Sequence, residues 1–222
     1  MSNEKELFNN IISILENLGV LKHLLLIGSW AEYVYQISYL DNFRANLRTR
    51  DVDLLIMNLG YPQEKVDIKK VLEEQGLIYE VDRVTGVTKF FHETLEVEFL
   101  ARELGAGQTE PYVSHSLGIK IEGLRNVDML IDSQIQLLLG RCLVNVPTPH
   151  AYVLHKLLIW PKRGVKQDKD MRAIENLLDT IEQHEIEKRG LKKMYLSLTP
   201  KQTKAIDEVC KENLIKLFED QF

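Results

Sequence analysis

Two cysteines are all that this chain of 222 residues contains. Cys142 and Cys210 lie far apart and neither is half of a Cys-x-x-Cys pair, so neither a disulfide framework nor a zinc site is expected. Proline is also scarce, with six residues spread thinly, and no internal repeat or low-complexity tract is visible. The longest apolar runs, such as Leu24–Ile27 and Leu137–Leu139, are far too short to span a bilayer. The start, Met1-Ser2-Asn3-Glu4-Lys5-Glu6, lacks the basic residues and apolar stretch of a secretory leader. Positive charge is not in excess either: 28 basic residues face 33 acidic ones, a net charge of −5. Such a chain is a poor candidate for extended nucleic-acid binding, although a local basic groove is compatible with it. The expectation is a soluble cytoplasmic protein with reduced thiols and no membrane partner.

What remains reads as globular. The apolar fraction is 45% and the charged fraction 27%, both near the average for folded domains. The length suits one large domain or two small ones. Pro147 and Pro149 mark one clear punctuation point. Before it, strand-like and helix-like segments alternate; after it, nearly everything has helical spacing. The expected division is an α+β domain over 1–147 and a helical domain over 148–222.

Leu7, Ile11, Ile14, Leu15 and Leu18 recur at helical steps, and Gly19 ends that segment. His23–Ile27 reads as a short buried strand, followed by Gly28-Ser29 and a helix from Ala31 to Leu40 with Ser29 as its N-cap. Val52–Met57 is a second buried strand and Glu64–Gln75 a third helix. Strands are expected over Leu77–Val81, Val87–His92, Leu95–Ala101, Leu117–Ile121, Ile135–Leu139 and Leu143–Val146. Beyond Pro149, helices are expected over 150–160, 167–184 and 200–219. The order predicts an α+β fold with a small mixed sheet, flanking helices and a helical C-terminal part.

The chemistry concentrates in two stretches. Arg50-Asp51-Val52-Asp53-Leu54-Leu55-Ile56 opens an apolar run with an Asp-x-Asp pair. On a strand, residues two apart share a face, so both carboxylates point the same way, roughly 6–7 Å apart along the chain. Such a pair repels itself unless a cation intervenes, and a hard divalent ion, Mg²⁺ or Mn²⁺, suits oxygen donors. Upstream, an apolar run ends in Gly28-Ser29 and enters a helix N-terminus. Free backbone N–H groups, the helix dipole and a hydroxyl make that turn a phosphate site. A third carboxylate would complete a two-metal centre. Glu96 and Glu98 share one strand face; Glu98 is favoured, because Phe99-Leu100 continues into the core, and Glu96 is the reserve.

Gly28-Ser29, Asp51-x-Asp53 and a later acidic strand residue resemble the signature of the polymerase-β-type nucleotidyltransferase superfamily. Val146-Pro147-Thr148-Pro149-His150-Ala151-Tyr152, then Leu154-His155-Lys156-Leu157, Arg163 and Lys166–Asp170, resemble an uncharacterised bacterial branch of nucleotidyltransferase-fold proteins. More distantly, the chain resembles toxin-type transferases of abortive-infection systems. The resemblance spans roughly residues 20–180. It implies metal binding by Asp51, Asp53 and Glu98, phosphate contact by Gly28, Ser29 and Lys156, and a nucleoside triphosphate as substrate. The acceptor it leaves open: small molecule, RNA or protein. The chain departs from the pattern in a long gap between Ser29 and Asp51, with room for an extra helix and loop through Asn42–Thr49, and in a Glu at the third acidic position.

Each residue also has a plain structural reading. Asp-x-Asp pairs cap helices or sit in turns. Glu98 is equally the exposed half of an amphipathic strand, and Lys156 a side chain snorkelling from a buried helix. Arg48 and Arg50 either neutralise a triphosphate or balance local charge. Lys188-Arg189-Gly190-Leu191-Lys192-Lys193 reads as a solvated turn. His92, His115, His150 and His155 lack metal-ligand spacing. Trp30 and Trp160 read as packing residues, with Trp30 also beside the Gly-Ser turn. A transferase, a silent nucleotide- or partner-binding module of the same fold, and a toxin-like transferase remain the three functional readings.

Overall fold

The computed structural model describes residues 3–46, 49–105 and 110–218. Helix α1 (Asn3–Asn17) leads through a 3-10 turn (Leu21–His23) to β1 (Leu24–Ile27), α2 (Ser29–Ser38), β2 (Asp51–Ile56), α3 (Ile68–Glu73), β3 (Ile78–Val81), β4 (Thr88–Phe91) and β5 (Glu96–Arg102). There follow β6 (Tyr112–Ser114), β7 (Ile119–Leu124), α4 (Asp128–Asp132) and a hairpin of β8 (Gln134–Leu139) and β9 (Cys142–Pro147). Helices α5 (Pro149–Ile159), α6 (Gln167–Glu182), α7 (Glu185–Ser197) and α8 (Pro200–Glu212) complete the chain, with 3-10 turns at Trp160–Lys162 and Gly164–Lys166. This is the α+β architecture expected, with a mixed sheet and C-terminal helices. Among the described residues, no helix is long and apolar enough to cross a membrane.

The seven-stranded sheet runs β1-β2-β5-β4-β3, with β7 also on β5 and β6 on β7. β2 pairs antiparallel with β1 and parallel with β5. The other edge of β5 is shared: β4 covers Glu96–Glu98 and β7 covers Leu100–Arg102. Alternation then decides the faces. Val52, Leu54 and Ile56 enter the main core with Val97, Phe99 and Ala101. Leu25, Ile27, Leu55 and Leu100 point to the opposite face, where Val127 and Leu130 close a smaller apolar cluster. Asp51, Asp53, Glu96 and Glu98 have the parity of that second face and lie beyond the cluster's end.

The helical part is packed on the sheet, not set apart from it. One apolar cluster runs from Leu7 and Phe8 through Leu54 and Phe99 to Leu154, Leu177 and Val209. Tyr35 donates to the carbonyl of Pro147 at 2.6 Å, and Asn145 Nδ2 donates to Leu24 O at 2.9 Å. Helix α5 starts where Thr148 caps the Ala151 N–H and Pro149 sits at the first helical position. Helix α8 carries a full capping box between Thr199 and Gln202.

Four local expectations differ from the structure. Ser29 is the first helical residue of α2, and the N-cap is Gly28, without a side-chain cap. Helix α3 is shorter than Glu64–Gln75, because Asp67 caps it by accepting from the Lys70 N–H. No helix forms within residues 42–46 or 49. The basic run Lys188–Lys193 lies inside α7 rather than in a turn. Its mid-helix Gly190 reads as a breaker, yet a Cβ there would strike the His150 ring. Leu191 on the same helix is buried, as is Glu187. Arg189, Lys192 and Lys193 are exposed, whereas Lys188 is half-buried and pairs with Glu182.

Glu187 ties α7 to α5 and α2. It accepts from Tyr39 Oη at 2.6 Å and from both the backbone N–H and ring Nδ1 of His150, at 3.2 and 2.5 Å. Burial alone would raise its carboxyl; the bonds from His150 and Tyr39 outweigh that and hold it below its ordinary value. A depressed carboxylate stabilises the fold above its ordinary range and loses that contribution as pH falls through its lowered value. Glu187→Ala leaves buried donors unpaired and is expected to cost about 3 kcal/mol at neutral pH. Urea unfolding should show that deficit, and it should shrink in acid. A pH-independent deficit would mean that the lost contribution is packing, not charge.

Candidate active site

The site is a row of registered residues across four strands. Ile27 on β1 lies opposite Asp53 on β2, Asp53 opposite Glu98 on β5, and Glu98 opposite Lys89 on β4. Asp51 and Glu96 form a second pair one step along. The parallel pairing of β2 with β5 thus gathers four carboxylates on one face.

Gly28 closes this row from above. Its φ of 69° is in the left-handed region, and a Cβ would collide with the Asp53 carboxylate. Only glycine meets both demands. The β1–α2 turn therefore rests directly on Asp53. Burial, then Glu98, then Asp51 raise the Asp53 carboxyl from its usual 3.8 to about 6. Glu96 is likewise held above its usual value, first by burial and then by Glu98. Two basic residues relieve part of the strain. Lys166 Nζ lies 3.5 Å from Asp51, and Lys89 bonds Glu98 while standing 3.8 Å from Glu96.

The opposite wall comes from α5 and the 3-10 turns after it. Helical spacing puts Tyr152, His155, Lys156 and Ile159 on one face of α5, lining a cleft of about 380 Å³ together with Gly28 and Asp53. Lys162, Arg163 and Lys166 continue that wall. Lys156 Nζ donates to Asp170 Oδ1 and Arg163 Nε to Asp170 Oδ2, both at 2.6 Å. Burial works against the Asp170 carboxylate, but these two cations hold its pKa below the usual value. Tyr152 Oη donates to the buried Glu32 at 2.5 Å. Burial raises the Glu32 carboxyl in spite of that bond. His155 is lowered to about 3, by burial and then by Lys156 and Arg163, so its ring is neutral. Its Nε2 is buried with no hydrogen-bond partner among the described residues.

The cleft lining is of two kinds. Asp53, Glu98, Glu122, Lys156, Arg163 and Lys166 are its charged residues. Its apolar residues include Ile27, Leu100, Val127 and Leu130, which belong to the smaller apolar cluster. The donor set suits a hard divalent cation: several carboxylates on one face, one of them made costly by burial among like charges. Among the described residues, no three His, Cys, Asp or Glu side chains already converge in ligand geometry. Glu98 is turned onto Lys89 instead.

Of the residues singled out in the sequence, Gly28, Asp53, Glu98 and Lys156 line this cleft and Asp51 stands beside it, bridged to Lys166. Ser29 is buried at the start of α2, immediately behind Gly28. Trp30 is fully buried and stacks on Phe8 at 4.1 Å, so it packs the core. Trp160 Nε1 donates to Gln167 O at 3.2 Å and fastens the 3-10 turns to α6. Arg50 is exposed, and its carbonyl accepts from the Glu96 N–H at 2.9 Å. Arg48 lies outside the described residues. Sequence reasoning gave no role to Lys89, Glu32, Glu122 or the Lys162–Lys166 wall. The wall had a local signal, a basic cluster just beyond a helix bearing Lys156. Lys89 had none, because its meaning comes from cross-strand register alone.

Comparison with known proteins gives the family. The family described as nucleotidyltransferase matches the chain over residues 6–199, and the chain belongs to that family. Nucleotidyl transfer is the family's general activity. No curated protein sequence matches the chain. Among solved structures, it is similar to an antigenic nucleotidyltransferase-like protein from Paracoccidioides brasiliensis, at 14% identity and a TM-score of 0.47, covering 93% of each chain.

Asp53→Asn is expected to leave the cation-free protein as stable as wild type or more so. The raised carboxyl gives the sign: the folded state loses stability as pH rises from 3.8 to about 6, and the full penalty applies above that. The melting temperature of the variant should therefore exceed that of wild type most at neutral pH, with the gap closing near pH 4. A variant that melts several degrees lower at pH 7 would make Asp53 a structural residue. Gly28→Ala should act oppositely, losing about 1–3 kcal/mol from backbone strain alone, and more from the clash with Asp53.

Proposed function

We propose that this protein moves a nucleoside monophosphate from a nucleoside triphosphate to a hydroxyl-bearing acceptor, with release of pyrophosphate. The observation that carries the reading is Asp53, pressed beneath the Gly28 turn, paired in register with Glu98 and facing a basic wall. Asp51, Asp53 and Glu98 would hold Mg²⁺ or Mn²⁺. When bound, the cations would neutralise phosphate charge and lower the pKa of the attacking hydroxyl. The N–H groups at the start of α2 and the Ser29 hydroxyl serve the distal phosphates. Arg163 and Lys166 are set to meet the same charge from across the cleft. Lys156 acts through Asp170, which it shares with Arg163 and so holds that guanidinium in place. The apolar lining residues take the base. Two buried thiols without a disulfide suit a reducing compartment, and we place the protein in the cytoplasm.

One observation favours the silent-module reading: Glu98 is occupied by Lys89. Pyrophosphate release separates the two readings. The protein is expected to release pyrophosphate from a triphosphate in Mg²⁺ and not in EDTA, and Asp53→Asn to abolish release. Calorimetry should show tighter triphosphate binding with Mg²⁺ than with EDTA, and Ser29→Ala should weaken triphosphate binding more than monophosphate binding. Equal affinity with and without the cation defeats the metal reading. Cation-dependent binding without pyrophosphate release leaves the silent module.

A further inference from the structure

We propose that Lys89 is a resident counter-charge that competes with one divalent cation for Glu98, so that the two cation positions of the site fill in sequence. The inference rests on the metal reading above. It starts from register: Lys89 on β4 is the direct cross-strand partner of Glu98, as Asp53 is on the other side. Glu98 thus stands between a lysine and an aspartate. Its side chain is 19% exposed and that of Lys89 35%, so the ion pair is only partly screened by water. Lys89 Nζ also lies 3.8 Å from Glu96.

The two cation positions are then unequal. A cation between Asp51 and Asp53 meets Lys166, an exposed side chain 3.5 Å from Asp51, with Arg163 and Lys169 acting on the pair without bonding either carboxylate. That position fills first. A cation between Asp53 and Glu98 must take a carboxylate already bonded to an ammonium, and the approach of like charges adds to the cost. It fills second and more weakly. The displaced ammonium has somewhere to go. Glu122 on β7, which takes up the same edge of β5 beyond β4, already attracts Lys89, and both line a neighbouring cavity of about 300 Å³. Glu122 is exposed, so taking up Lys89 there needs no desolvation of a buried group. The same pairing accounts for the lack of a preformed three-carboxylate cluster among the described residues. In the cation-free protein, the lysine supplies the positive charge that keeps Glu96 and Glu98 tolerable side by side.

The test is a Mn²⁺ titration of the full chain, followed by the electron paramagnetic resonance of free Mn²⁺ and by calorimetry, without nucleotide. Wild type is expected to bind Mn²⁺ in a tighter and a weaker step. Lys89→Met should strengthen the weaker step at least tenfold and leave the tighter step nearly unchanged. Lys89→Arg should restore the wild-type curve. Thermal melting supplies the second readout. Lys89→Met should melt below wild type without Mn²⁺, because Glu98 loses its partner, and Mn²⁺ should raise it by more than it raises wild type. A lysine that only braces the sheet would lower the melting temperature and leave the Mn²⁺ curve unmoved, and that result overturns the proposal. If neither wild type nor Lys89→Met binds Mn²⁺, the metal reading itself fails, which is a different outcome from an unchanged curve.

Discussion

The parallel pairing of β2 with β5 positions everything else at the site. It sets Asp53 beside Glu98 and Asp51 beside Glu96 with no freedom of register, because a slip of one residue by either strand would send that strand's two carboxylates into the main core. The apolar residues between them prevent that slip. Val52, Leu54, Val97 and Phe99 are essentially inaccessible, and moving them to the cleft face would expose them to water. The hydrophobic core thereby enforces an arrangement of like charges that electrostatics alone would disperse.

That strain is contained by three kinds of contact. Gly28 covers one side of the row, resting directly on the Asp53 carboxylate. Lys89 and Lys166 lend positive charge at either end. The second wall is held by its own buried network of Lys156, Asp170 and Arg163, so the basic side of the cleft does not collapse onto the acidic side. Glu32 and Tyr152 form a further buried pair between α2 and α5. A half-satisfied group in such surroundings would be costly, so the fixed geometry of both walls follows from polar pairing as much as from packing.

The sheet and the helical part share one core, and the cleft lies where they meet. Tyr39, His150 and Glu187 fasten α2, α5 and α7 together at a distance from the chemistry. The consequence for function is positional. Lys166 belongs to a short 3-10 turn and Arg163 lies between that turn and the one before it; such turns have little stability of their own, and the place of both residues on the cleft wall depends on α5 and α6 being anchored.

The sequence by itself determined the strand-helix order from α1 to β5, the shared face of Asp51 and Asp53, and the turn at Gly28-Ser29. Each of these follows from spacing within a few residues, where strand and helix periods act directly. Alternation along Leu95–Leu100 points to Glu98, and the family resemblance adds Lys156. Sequence spacing misplaces the cap of α2 and reads Lys188–Lys193 as a turn, because Gly190 looks like a breaker until the His150 ring is known to occupy its Cβ position. Tertiary structure alone decided the rest. Lys89 meets Glu98, Lys166 meets Asp51, and Lys156 meets Asp170 rather than open solvent. These pairings join elements whose separation along the chain carries no local pattern. They are fixed by sheet register and by helix packing, which depend on the whole core at once.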